Sequence, residues 1–261
     1  MKDKMNQRII ELRDTMKAYE EEGGPSDQAQ GIPQPSLSKA SYGRKIIPLT
    51  MNFESLVKNN DFLNLIGSRT SKRRYTLDPV TLEELSFLLW ATQGVKQIIG
   101  KNNKATLRTV PSAGARHPFE TYLIINHVEG LENGLYHYLA LEHKLELMKE
   151  IDQQSARITE AAYGQAFLGS AAVDFIWSAV PYRSEWRYTL DAHKYILLDA
   201  GHVCQNLYLA CEAIGCGACA IGAYDQALMD GLLDLDTQPS GTADSEFVVY
   251  LASVGKVEDD K

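Results

Sequence analysis

Basic residues are in short supply: 26 Lys and Arg stand against 34 Asp and Glu in 261 residues, a net charge of −8. A nucleic-acid binder carries a basic footprint, so no nucleic-acid partner is expected. Long apolar runs are missing too, and none reaches the roughly 20 residues that a membrane span needs. The opening stretch "MKDKMNQRIIELRDTMKAYEEE" has charges but no apolar signal core. The expected setting is therefore the cytoplasm, with no membrane partner. Cysteine is sparse, at four residues, too few to staple a chain of this length. Cys216 and Cys219 form a C-x-x-C, but the four spacings match neither common iron–sulfur run. Cys204 and Cys211 fall in an apolar helix, where a thiol packs as a small hydrophobe, so no metal is expected. A Walker loop, a strand–GxGxxG–helix unit, an HExxH pair and a Ser-His-Asp arrangement are all absent.

What is present is ordinary globular composition, 44% apolar and 23% charged, enough for a sizeable core. Residues 2–22 carry apolar positions at helical spacing and end at Gly23-Gly24. Residues 23–50 have turn and extended composition. Together, 1–50 read as an arm that wraps over a partner or a second subunit, and 51–261 as the compact domain. Inside it, "FESLVKNNDFLNLIG" predicts a helix, and Thr81 and Glu84 predict a capping box for a helix closed by Gly94. "KQIIGKNNKATLRTV" reads as a polar loop. Strands are predicted at 121–128, 134–140, 143–149 and 173–180, and helices at 152–168 and 225–235. Residues 191–215 give the longest helical signal. From Tyr195 to Ile214 its ionisable interruptions, cysteines aside, are Asp199, His202 and Glu212, the pattern of a helix buried on several sides or at a dimer interface. "CGACAIGAY" and "EFVVYLASVG" supply two last strands. Strands and helices mix without βαβ alternation, which predicts an α+β fold.

Two segments carry candidate chemistry. "SRTSKRRYT" concentrates four cations in an acidic chain. Arginine forks match phosphate oxygens, and a hydroxyl adds a neutral donor. Arg69, Ser71 and Arg73 alternate, so in extended backbone they share one face. A solvated charged loop is the plainer alternative. "PSAGARHP" places small residues where backbone amides can approach a flat or anionic ligand; a plain turn is the alternative there.

The ordered motifs "SRTSKRRY", "LEELSFLLWATQGV", "VPSAGARHPFETYLII", "NGLYHY", "DAGHVCQNLYLACEAIG", "AIGAYD" and "YLASVGK" resemble the FMN-dependent nitroreductase family over residues 52–256. The nearest branch contains azoline-dehydrogenase-like proteins, among them oxidases of thiazole- and oxazole-containing peptides. The resemblance implies a mostly antiparallel central sheet flanked by helices, in an interlocked homodimer with FMN at the interface. It implies that Arg69, Ser71 and Arg73 bind the FMN phosphate and that Lys256 approaches it. Pro111, Ser112, Ala113, Gly114 and His117 would lie along the flavin ring of the partner subunit, and Ile221, Gly222 and Ala223 would pass near it. Ala115 and His117 stand where many members have Asn and Gln. The branch's Lys-Tyr pair falls at Arg187-Tyr188, and Arg is a poor base because it holds its proton firmly.

The implied activity is reduction of a small organic acceptor, such as a nitroaromatic, quinone or enone, by NADH or NADPH, with Arg187 and Tyr188 serving the acceptor. The alternatives are an azoline-type dehydrogenase using FMN and oxygen, or a flavin-binding protein without turnover.

Overall fold

The computed structural model describes residues 5, 7–11, 24–102, 104–235 and 243–258. Residues 5 and 7–11 are helical; the remainder of the helix expected over 2–22 lies outside the described residues. In chain order the elements are β1 (Ile46–Pro48), α1 (Phe62–Ser68), α2 (Leu82–Gln93), β2 (Val95–Ile99), β3 (Ala105–Arg108), β4 (Phe119–Ile125), β5 (Gly134–Leu139), β6 (Lys144–Lys149), α3 (Gln154–Ala161), α4 (Ala166–Ser170), β7 (Val173–Ala179), α5 (Tyr182–Tyr188), α6 (Ala192–Ile214), β8 (Cys216–Ile221), α7 (Gln226–Leu232) and β9 (Phe247–Lys256).

Seven strands make one sheet in the order β1-β6-β5-β4-β7-β9-β8, while β2 and β3 pair separately. Every pairing in the large sheet is antiparallel. Successive strand side chains point to opposite faces, and both faces are covered. Phe175 and Trp177 of β7 join Leu85, Leu88, Val203 and Leu207 from α2 and α6. Ile176 turns the other way, onto Ile158, Leu168 and Met229 of α3, α4 and α7. Burial on both faces explains why β4 and β7 are buried at every residue. The fold is the α+β arrangement that the element pattern predicts.

The Thr81–Glu84 capping box forms as read from the sequence, and Gly94 caps the other end of α2. Three local expectations are corrected. In place of a helix over the whole 53–67 stretch, the helix starts only at Phe62 and runs to Ser68, because Asn59 accepts the Asp61 amide and Asp61 caps Leu63 and Asn64; such local side-chain bonds compete with upstream helix. The expected polar loop at 96–110 is the β2–β3 hairpin, turning through Gly100 at φ 90°. The single helix expected over 152–168 is split by Tyr163 and Gly164, both left-handed.

Residues 24–48 lie along their own chain. The Gln28 amide donates to Trp186 O, and Trp186 Nε1 donates to Ile32 O. Further on, Glu120 accepts the Lys39 amide, and Glu146 accepts the Tyr42 and Arg44 amides and the Ser41 hydroxyl. The segment then enters the sheet as β1, beside β6. Two buried carboxylates thus seat the segment that the sequence presents as an arm.

Candidate functional site

The basic segment leaves α1 at Arg69, whose amide caps Leu65 O. It then runs extended along the free edge of β8: Ser71 bridges to Ala218, and the Lys72 amide donates to Ala218 O. A Cβ at Gly217 would stand 2.7 Å from Lys72 Cβ, so the segment can lie this close only over glycine. Ser71 Oγ and Tyr208 Oη are 3.0 Å apart, and Tyr208 Oη accepts the Ala220 amide at 2.7 Å. The Arg69 guanidinium lies 5.2 Å from the Tyr208 ring centroid, and the Arg73 guanidinium 5.9 Å from that of Phe167. Arg73 also reaches the Cys219 thiol. Ser71, Lys72, Arg73, Arg74 and Glu258 line a cleft of 590 Å³. Neither Arg69 nor Arg73 has a carboxylate partner among the described residues. β8 carries this edge directly into Ile221, Gly222 and Ala223, the last two exposed.

Lys256 is placed differently from the expectation. It sits at the end of β9, where its Nζ ion-pairs with Glu84 and its carbonyl accepts the Thr76 amide. It supports the base of the segment and is not an open cation beside Arg69 and Arg73. All four cysteines are buried free thiols, and burial pushes Cys204 and Cys216 up to about 12.

The second segment, Pro111–Gly114, is held by α6 from the other side. Asp199, buried within the helix, accepts the Ala113 amide and the Ser112 hydroxyl. Burial raises the Asp199 pKa, and those bonds partly offset the rise. Asp199 is the residue that sequence reading missed; its signal is a carboxylate interrupting an otherwise apolar helix. Gly114, Ala115 and His117 have left-handed φ of 56°, 52° and 47°. Thr189, just beyond α5, has φ 48°. The two strained turns meet: a Cβ at Gly114 would stand 2.4 Å from Tyr188 Oη and 3.1 Å from Arg187 Cδ. Strain of this kind costs about 1–3 kcal/mol per residue and concentrates at functional sites. Tyr188 also makes an edge contact with Tyr195, ring centroids 5.1 Å apart.

His117 turns inward. It is buried, with Nε2 3.1 Å from Thr106 O, and burial beside Arg108 drives its pKa down to about 3. Its ring is a neutral core group in this chain, where a flavin contact was expected.

Asp199 and Tyr208 are nine residues apart on α6. At 1.5 Å and 100° per residue they are separated by about 13.5 Å and half a turn. One helix therefore holds two half-sites on opposite flanks: Arg69, Ser71, Arg73 and Ile221–Ala223 on one, and Pro111–Gly114 with Arg187 and Tyr188 on the other. Leu197 and Gly201 lie within about 20° of the Tyr208 side of the helix and Leu198 about 80° round from it, and together they form an exposed, largely apolar stripe.

A 34% identical stretch of 162 residues relates the chain to the nitroreductase-like protein MJ1384 of Methanocaldococcus jannaschii, covering 62% of this chain and 78% of that one. The trifolitoxin-processing protein TfxB of Rhizobium leguminosarum bv. trifolii is 27% identical over 155 residues, 55% of this chain and 39% of TfxB. Among solved structures, a nitroreductase-like protein from Anabaena variabilis superposes with a TM-score of 0.70 at 25% identity, over 93% of this chain and 45% of that chain. The chain thus spans less than half the length of two of these relatives. The model of the nitroreductase family matches residues 66–256, a span that runs from the end of α1 through both half-sites to the end of β9; the chain belongs to the nitroreductase family of oxidoreductases.

Proposed function

We propose that the protein is an FMN-dependent oxidoreductase that uses NADH or NADPH to reduce a small organic acceptor, such as a nitroaromatic, quinone or enone. The observation that carries this reading is the open pair Arg69 and Arg73, with Ser71 between them, on the glycine-backed edge of β8. FMN, when bound, supplies a two-electron redox centre that donor and acceptor use in turn, which predicts ping-pong kinetics. The donor set fits its phosphate: Ser71 and Arg73 line an open cleft, and the Arg69 fork stands over Tyr208, which Ser71 meets, in a chain that is otherwise acidic. Ile221, Gly222 and Ala223 border the ring from the same strand. Pro111, Ser112, Ala113 and Gly114 approach it from a second copy of the chain, and Tyr188 holds a proton on the acceptor side.

The test is selective loss of phosphate recognition. Arg69→Ala and Arg73→Ala should each weaken FMN binding by about 1.5–3 kcal/mol, the range for hydrogen bonds to charged groups. Riboflavin, which lacks the phosphate, should lose much less. Equal losses for both flavins in equilibrium dialysis would remove the phosphate from the cluster.

The half-sites stand on opposite flanks of α6, so completing one site takes a partner's Pro111–Gly114 segment. The stripe of Leu197, Leu198 and Gly201 gives that partner an apolar face with no side chain at its centre. A homodimer is the expected state. Sedimentation of dilute protein checks it, and a monomer that keeps FMN would overturn it.

An azoline-type dehydrogenase is the second reading, favoured by the likeness to the toxin-processing TfxB. Arg187 in place of a lysine base weighs against it.

A further inference from the structure

Arg187 carries its charge on the acceptor flank. It is exposed at the end of α5, and its recorded contact is the Tyr188 ring, 5.5 Å from the guanidinium carbon. Among the described residues it has no carboxylate partner. The layer behind it is cationic as well. Arg116 is buried with Nη2 unpartnered, and burial together with the charges of Arg187 and Arg183 depresses its pKa. Arg183 is buried too; Glu120 takes its Nη2, and its Nη1 is unpartnered. Arg187 and Arg183 both act on Arg116, so three guanidiniums stand close together; Glu120 pairs with Arg183, Asp199 is taken up by the Ser112–Ala113 segment, and Glu185 is engaged by His193. A fixed positive field of this kind draws and orients anions.

We infer that Arg187 docks an anionic group of the acceptor, so that the preferred acceptors are carboxylate-bearing organic molecules with the reducible group placed at Tyr188. The stem of Arg187 is packed against Gly114, and the same glycine abuts Tyr188 Oη. The guanidinium and the phenol are therefore held at a set separation by one strained turn, as a two-point recognition element requires. A planar guanidinium matches a carboxylate with two parallel hydrogen bonds. The plain alternative is a last-turn arginine that only complements the α5 dipole. That role is indifferent to the charge of a ligand.

The inference rests on the oxidoreductase reading only in naming the docked anion an acceptor. Its test is equilibrium binding of 4-nitrobenzoate and of its neutral counterpart 4-nitrobenzamide to the FMN-loaded protein, by calorimetry. Wild type should favour the acid. Arg187→Ala should weaken the acid by about 10- to 150-fold, the equivalent of a charge-assisted hydrogen bond, while amide affinity barely moves. Arg187→Lys should restore part of the loss, since it keeps the charge without the fork, and added salt should erode the preference. Equal affinities for acid and amide in wild type, or equal losses for both in Arg187→Ala, would overturn the inference. So would an effect confined to NADH or NADPH, which would assign Arg187 to the phosphates of the donor. Selective binding of the acid without reduction of either compound would instead count against the oxidoreductase reading and leave the anion site standing.

Discussion

Tyr188→Phe is expected to leave flavin content and the rate of flavin reduction by NAD(P)H almost unchanged, and to slow re-oxidation by an acceptor that needs a proton. The substitution removes one oxygen and keeps the ring that meets Tyr195 edge-on, so packing should hardly change. The lost oxygen is the one beside Gly114, where two strained turns meet. A tyrosine hydroxyl can donate to an anion as it develops, and positioned proton transfer contributes typically about 10²–10⁴-fold. Stopped-flow measurement of the two half-reactions separates the outcomes. Wild-type rates in both would make Tyr188 structural. Loss of flavin would move it into the cofactor's own contacts.

The second large effect is on stability. Glu120 is buried in β4, where it accepts the Lys39 amide at 2.7 Å, faces His137 Nε2 at 2.8 Å and pairs with Arg183 Nη2. Burial alone would push its pKa up. The Arg183 guanidinium and the His137 bond outweigh that and hold the carboxyl well below its usual range. Glu120→Ala should cost about 3–5 kcal/mol, because it strands a buried guanidinium. The midpoint of urea unfolding reads the loss, and an unchanged midpoint would show that the network is dispensable. The pH dependence has a definite sign. A depressed folded-state pKa gives stability that is full above the unfolded carboxylate's pKa and is lost as pH falls through the folded one. The gap between wild type and Glu120→Gln should therefore begin to narrow as pH falls below the ordinary carboxylate value and close only in strong acid.

Much of the fold is readable because its signals are short-range. Thr81 and Glu84 announce the start of α2 within four residues, and Gly94 marks its end. The unbroken apolar run 173–180 is legible as a buried strand because β7 has neighbours on both sides and cover on both faces. The β2–β3 hairpin was hidden because its exposed positions carry no alternation that points to a core. The break at Tyr163-Gly164 was hidden because a helical period continues across it.

The candidate site divides along the same line. The sequence by itself determined the residue types and the local geometry: cations and a hydroxyl alternating at 69–73, small residues at 112–114, a long apolar helix at 192–214, and the order of family motifs. The tertiary structure decided which of these meet. Ser71 finds Tyr208 across 137 residues, Ala113 finds Asp199 across 86, and Glu120 finds Arg183 across 63. It also withdrew His117 into the core and tied Lys256 to Glu84. Propensity and periodicity act over one or two turns of chain. Contacts at these separations depend on strand order and on the rotational phase of α6, and half a turn of that helix puts the Arg69–Arg73 segment and the Pro111–Gly114 segment on opposite flanks.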